Sequence, residues 1–297
     1  MSVLRLRAPT SAPAPARYGA LARALGGGLV MAVALGTGTA LGPALAHAAG
    51  VDGLPARLIP AAFVTALAVP LIVRLARPGS LGFGSAARSA RAFLTGAGVT
   101  AAAAALVLGA GTAGGMLRWG RPDLASLAGF LLSNTAVALL LEALPEEATL
   151  RGYTWTSLHE RFGATASALG TTAVFLPVPG VASLVHAGVA RLIGEEPGPV
   201  GPAPDGQNPV DYLILLTVFG LMLAAARTAR AGAPLWTAIG AHLTFLTVNR
   251  IALQGTDRAA GWSAEQTTPH AALLIPAYVL VATAGFLACG RITRRGS

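Results

Sequence analysis

The sequence predicts an all-α fold, a polytopic membrane bundle of about eight transmembrane helices, and three observations support this prediction. Hydrophobic residues make up 54% of the chain and charged residues only 11%, against about 25% charged in soluble domains. The mean hydropathy is +0.64. Several apolar stretches reach the roughly 20 residues that a helix needs to cross the hydrocarbon core of a bilayer.

The apolar stretches end at arginine, proline or glycine and contain many small residues, which let membrane helices approach closely. They lie near 24–46, 57–76, 92–117, 124–150, 162–190, 210–226, 233–255 and 270–290. We therefore expect one transmembrane domain over residues 18–297. Residues 1–17, with Pro-Ala pairs and arginines, are expected to form a disordered tail.

The basic residues, all of them arginine, concentrate between alternate spans. Those that precede the first span or follow the second, fourth, sixth and eighth are Arg5, Arg7, Arg17, Arg23, Arg74, Arg77, Arg88, Arg91, Arg151, Arg161, Arg227, Arg230, Arg291, Arg294 and Arg295. Loops rich in arginine stay on the cytoplasmic side of a membrane. The pattern predicts a multi-pass protein of the cell membrane with both termini in the cytoplasm.

Other classes of protein fit the sequence poorly. The arginines do not cluster with aromatic residues on one face, so no nucleic-acid partner is expected, and the lipid bilayer is the predicted environment. The single cysteine, Cys289, excludes an intrachain disulfide and a cysteine-based zinc knuckle. A signal peptide cleaved after Ala46 is an alternative for the first span, but its length of about 46 residues exceeds the usual 15–30.

Ionisable residues inside a membrane are costly, so each is a candidate functional residue. The densest group is Glu142, Glu146, Glu147 and Arg151, near the end of the fourth span. Glu147 and Arg151 are four residues apart and share one helix face, and Pro145 predicts a local bend. The group is either a set of end residues that reach towards the interface or a functional site.

The residues around this group resemble the CPBP/Abi family of intramembrane proteases, related to the endopeptidase that trims prenylated CAAX proteins. The matching blocks are Glu146-Glu147-x-x-x-Arg151-Gly152, Leu158, Arg161-Phe162-Gly163 and the stretch from Leu235 and Trp236 to His242. They fall in the family order within a core of about 140–255. The resemblance implies a membrane-embedded hydrolase that cleaves a peptide bond.

The resemblance also implies roles for individual residues. Glu146 corresponds to the glutamate that activates water, Glu147 and Arg151 to its neighbours, and His242 to a histidine that stabilises the oxyanion. Participation of a divalent metal such as zinc stays open, and Glu147, His186 and His242 are its candidate ligands.

The match is incomplete at two positions. Counting without gaps, the histidine of the family's second signature falls on Pro179, four residues after Phe175. The asparagine of the third signature falls on Leu246. His186 lies seven residues after Pro179 and Asn249 lies seven residues after His242, each on nearly the same helix face but about 10 Å further along. His186 is therefore a candidate catalytic residue, or else a histidine bonded to a structural neighbour.

Three functions are consistent with the sequence. The first is an intramembrane endopeptidase, a possible metalloprotease, acting near the cytoplasmic leaflet on a membrane protein or lipid-anchored peptide. The second is a catalytically silent family member that binds a membrane partner as a scaffold. The third is a small proton-coupled transporter that uses Glu142, Glu146 and Glu147 as a relay.

Overall fold

The computed structural model describes residues 17–230 and 232–295. The predicted tail, residues 1–17, lies outside the described residues except for Arg17, at which the first helix begins. The helices are α1 (Arg17–Ala48), α2 (Gly53–Leu75), α3 (Ala86–Ala113), α4 (Leu124–Ala138), α5 (Leu144–Glu146), α6 (Trp155–Phe175), α7 (Val178–Leu192), α8 (Pro209–Ala229), α9 (Pro234–Ala252) and α10 (Leu274–Arg295).

Two π-helical stretches, Leu139–Ala143 and Glu147–Thr154, join α4, α5 and α6 into one continuous helical segment. Wider turns of this kind often occur at functional sites. The segment bends at Gly163, whose φ of 77° is readily adopted only by glycine. This glycine is the last residue of the Arg161-Phe162-Gly163 block. The bend therefore explains why a glycine occupies that position.

The predicted all-α, polytopic bundle is confirmed. Six helical segments among the described residues are long and apolar enough to cross a membrane. One of them, Leu124–Leu192, has 69 residues and contains two of the predicted spans. A straight helix of that length would be about 100 Å long, which is too long for a single crossing. α9 is not among the six; it carries His242, Asn249 and Arg250. The merging of two predicted spans into one segment and the omission of α9 account for the difference between eight predicted spans and six segments.

Glycines allow α1 and α9 to pack closely against their neighbours. A methyl group at Gly36 of α1 would overlap the backbone of α7 at Ala182, and one at Gly27 would overlap Thr154. α1 is thus an integral helix of the bundle. At Gly240 of α9, a methyl group would overlap the backbone carbonyl oxygen of Phe93 in α3.

Short strands that the sequence did not predict cap one end of the bundle. β1 (Leu117–Trp119) pairs antiparallel with β2 (Ala264–Gln266). The ring of Trp119 in β1 contacts that of Trp262 in a tilted arrangement, with 4.4 Å between centroids. The proline- and glycine-rich stretch before α8 is irregular, as its composition predicts.

Candidate active site

The candidate site is a buried ion cluster between the second π-helical stretch and α9. Nδ1 of His242 lies 2.9 Å from Oε1 of Glu147, and Nη1 of Arg151 donates to the same oxygen at 3.3 Å. The side chains of Glu147 and Arg151 are fully buried and that of His242 is 3% exposed. The structure therefore joins residues that lie 95 positions apart in the sequence.

Aromatic side chains enclose this cluster. The guanidinium of Arg151 lies 4.8 Å from the centre of the Phe175 ring, a cation–π distance. Phe219 of α8 meets His242 edge to face, with 5.0 Å between ring centroids. Phe175, the residue that matches the family's second block, therefore contributes a wall of the site. Such rings exclude water, which strengthens the interactions between the charges inside.

Glu146 differs from Glu147 in its environment. It is only partly buried, and its electrostatic neighbours are His242, Glu142, Arg151 and Glu147. Within the described residues no side chain forms a hydrogen bond to its carboxylate. The first glutamate of the pair thus has His242 as an electrostatic neighbour, whereas the carboxylate of the second is held by two hydrogen-bond partners.

The two residues considered as replacements for the missing histidine and asparagine have partners elsewhere. Nδ1 of His186 lies 3.1 Å from Oγ1 of Thr39 in α1. His186 also lines a cavity of about 470 Å³ together with Pro179 and Asp205. The hydroxyl of Tyr278 in α10 donates to Oδ1 of Asn249 at 2.9 Å.

The candidate metal ligands do not form a set. Among residues 17–230 and 232–295, no three histidine, cysteine, aspartate or glutamate side chains are grouped as a metal ion requires. Glu147 and His242 contact each other, while His186 is bonded to Thr39. The residues at the site therefore do not fit a conventional zinc centre with three protein ligands.

A second polar network, which the sequence analysis did not predict, joins α9 to α4 and the first π-helical stretch. Arg250 of α9 donates to Glu142 and, at 3.0 Å, to Oδ1 of Asn134. Nδ2 of Asn134 donates to Thr247 at 3.2 Å. The sequence around Arg250 does not predict these contacts, because the partners come from a distant part of the chain.

The part of the chain that forms the buried cluster is also the part that matches a known family. No curated protein and no solved structure matches the chain significantly. A family model does match, and the region it covers contains every block of the resemblance and every residue of the buried cluster. Residues 128–248 match the family described as type II CAAX prenyl endopeptidase Rce1-like, and this confirms the resemblance to CAAX-type proteases.

Proposed function

We propose that this protein is a CAAX-protease-like intramembrane endopeptidase in which Glu146 activates water. The observation that carries the proposal is the difference in environment between two adjacent glutamates. Glu147 is fixed by Arg151 and His242, whereas the carboxylate of Glu146, beside the same histidine, has no hydrogen-bond partner among the described residues. A general base needs a free acceptor at the reacting centre, and its supporting residues need fixed positions.

The proposed reaction is hydrolysis of a peptide bond. Glu146 takes a proton from water, and the resulting hydroxide attacks the carbonyl carbon. Paired with Glu147, the His242 ring can carry protons on both nitrogens, so that Nδ1–H donates to Glu147 and Nε2–H is available to the oxyanion. As the carbon–nitrogen bond breaks, Glu146 returns its proton to the leaving amine.

The catalytically silent alternative has specific support and is retained as the second candidate. Pro179 and Leu246 cannot donate or accept a side-chain hydrogen bond, and neither His186 nor Asn249 is bonded within the cluster. The transporter alternative is less favoured. Two of its three relay residues, Glu142 and Glu147, already form ion pairs with arginine.

Peptide cleavage by purified protein in liposomes distinguishes the two leading candidates. With a prenylated CAAX peptide as substrate, we expect slow cleavage by the wild type and a loss of about 10²–10⁴-fold in Glu146→Gln. His186→Ala is expected to keep wild-type activity because that residue is bonded to Thr39. Glu265→Gln, an exposed residue of β2, is the matched control.

The double variant Pro179→His with Leu246→Asn tests whether the missing histidine and asparagine limit cleavage. If the wild type is inactive and the double variant gains cleavage that depends on Glu146, the chain is a silent family member and the proposed hydrolysis is wrong. If cleavage requires His186, that histidine acts in the reaction and the assignment of roles is wrong. These effects need not add, because residues that act as a unit are non-additive.

A further inference from the structure

A small basic cleft lies at the end of the bundle where α1 begins, away from the candidate active site. It has a volume of about 110 Å³ and is bordered by α1, the end of α2 and α6. Its charged residues are Arg23, Arg77 and Glu160. Ser157 and Tyr153, whose side chains carry hydroxyl groups, are also lining residues. We propose that this cleft binds a phosphate group.

The first argument is the balance of charge. Nη1 of Arg77 lies 3.0 Å from one oxygen of Glu160, and Nη2 of Arg23 lies 3.7 Å from the other. Two guanidinium groups thus share one carboxylate. Nη2 of Arg23 is buried and has no hydrogen-bond partner among the described residues. Each guanidinium has five N–H groups, so most of this donor capacity is left for a second anion.

A third guanidinium lies behind the cleft. Arg227 of α8 is 7% exposed, and its Nη2 donates to Oγ1 of Thr156, a lining residue, at 3.3 Å. Its Nη1 donates to the backbone oxygen of Leu81 at 3.2 Å. Within the described chain, no carboxylate lies at ion-pair distance from Arg227. A buried charge without a counter-ion is costly, and a bound anion near Thr156 would lower that cost.

Size and position favour phosphate over larger anions. A volume of about 110 Å³ holds one tetrahedral anion with a few waters but not a nucleotide. Phosphate offers several strong acceptors for arginine and hydroxyl donors. The cleft lies where the apolar stretches of α1 and α2 reach their polar ends, the level of lipid head groups, and basic pockets between membrane helices bind such groups. The phosphate can therefore come from a lipid or from solution.

Binding to the full-length protein in detergent tests the proposal with two probes. Inorganic phosphate is titrated by thermal shift, and phosphatidic acid is compared with phosphatidylcholine by native mass spectrometry. We expect Arg23→Gln to weaken phosphate binding about tenfold or more, since charge-assisted hydrogen bonds are lost. Arg91→Gln, an exposed arginine of α3 that does not line the cleft, is expected to bind as the wild type does.

Glu160→Gln keeps the test decisive if Arg23→Gln fails to fold. Removing the competing carboxylate should tighten phosphate binding severalfold, whereas a purely structural ion cluster would lose stability and gain no affinity. If the same variants weaken and strengthen the retention of phosphatidic acid, the source of the phosphate is a lipid head group. Binding of inorganic phosphate alone identifies the free anion. Equal weakening by Arg23→Gln and Arg91→Gln, or no binding of either probe, would overturn the proposal.

Discussion

Arg151 is the largest fully buried side chain of the described bundle, and its charge is balanced by a single oxygen of Glu147. The other oxygen of Glu147, and Nε and Nη2 of Arg151, have no partner among the described residues. Burying an ion pair costs desolvation energy that the pair itself barely repays. The cluster is therefore better explained by a role in the site than by its contribution to stability.

Removing one member of this pair should be far more harmful than removing both. Glu147→Gln leaves Arg151 buried without its counter-ion, and we expect a loss of about 3–5 kcal/mol in the free energy of unfolding. The double variant Glu147→Gln with Arg151→Met should recover part of that loss. Denaturant titration in detergent measures both effects.

The exposed pair Arg118–Glu265, whose side chains are 72% and 63% exposed, supplies the control. Glu265→Gln should change the free energy of unfolding by about 1 kcal/mol or less, because solvent screens exposed ion pairs. A Glu147→Gln variant as stable as this control would contradict the argument that Arg151 depends on Glu147.

Sequence spacing and sequence resemblance each revealed part of the site. The interval of four residues predicts the contact between Glu147 and Arg151, but only the resemblance pointed to His242. Helical spacing placed His186 and Asn249 on plausible faces without naming their partners. Those partners, Thr39 and Tyr278, belong to other helices, and the periodicity of one helix contains no information about them.

The position of His242 depends on how closely α9 approaches α3. Gly240 lies two residues before His242 and meets the backbone of Phe93, and Gly96 of α3 meets the backbone of Thr237 in the same way. Small residues at helix contacts allow this distance in membranes. Two reciprocal glycine contacts therefore set where α9 presents His242 to Glu147.

A methyl group at this contact should separate the helices. We expect Gly240→Ala to lower stability by about 1–3 kcal/mol, as overpacking does, and to reduce any Glu146-dependent cleavage. Gly98→Ala is the matched control, because a methyl group at Gly98 meets nothing within 4 Å and alanine favours the helix. Equal effects of the two substitutions on unfolding would contradict the close-packing argument.

Apolar stretches predicted the helices well but not their internal irregularities. The first π-helical stretch lies inside the predicted span 124–150 and the second crosses the end of that span, and hydropathy does not distinguish α from π turns. Pro145, at which the sequence predicts a bend, lies in the short α5 between the two π-helical stretches, and the non-helical backbone kink lies at Gly163. The break between α6 and α7, at 176–177, follows Phe175 in a stretch predicted as one span.

At the scale of the whole molecule, two polar networks connect the region of residues 134–151 with α9 at different depths. One is centred on Glu147 and His242 and the other on Glu142 and Arg250. The family match, over residues 128–248, contains the first network but ends before Arg250 of the second. α1 packs against this core from outside the matched region. The matched segment and the surrounding helices therefore form one bundle.

The orientation of this bundle in the membrane is predicted by the arginine pattern and can be tested with single cysteines. In a Cys289→Ser background, cysteine replaces Pro78, Arg121 or Asp205, all of them exposed. If arginine-rich loops are cytoplasmic, an impermeant maleimide should label positions 121 and 205 in intact cells and position 78 only after permeabilisation. The Cys289→Ser protein without a new cysteine controls for background labelling. Labelling of position 78 in intact cells would reverse the orientation, and opposite accessibility of positions 121 and 205 would contradict an even number of crossings between them.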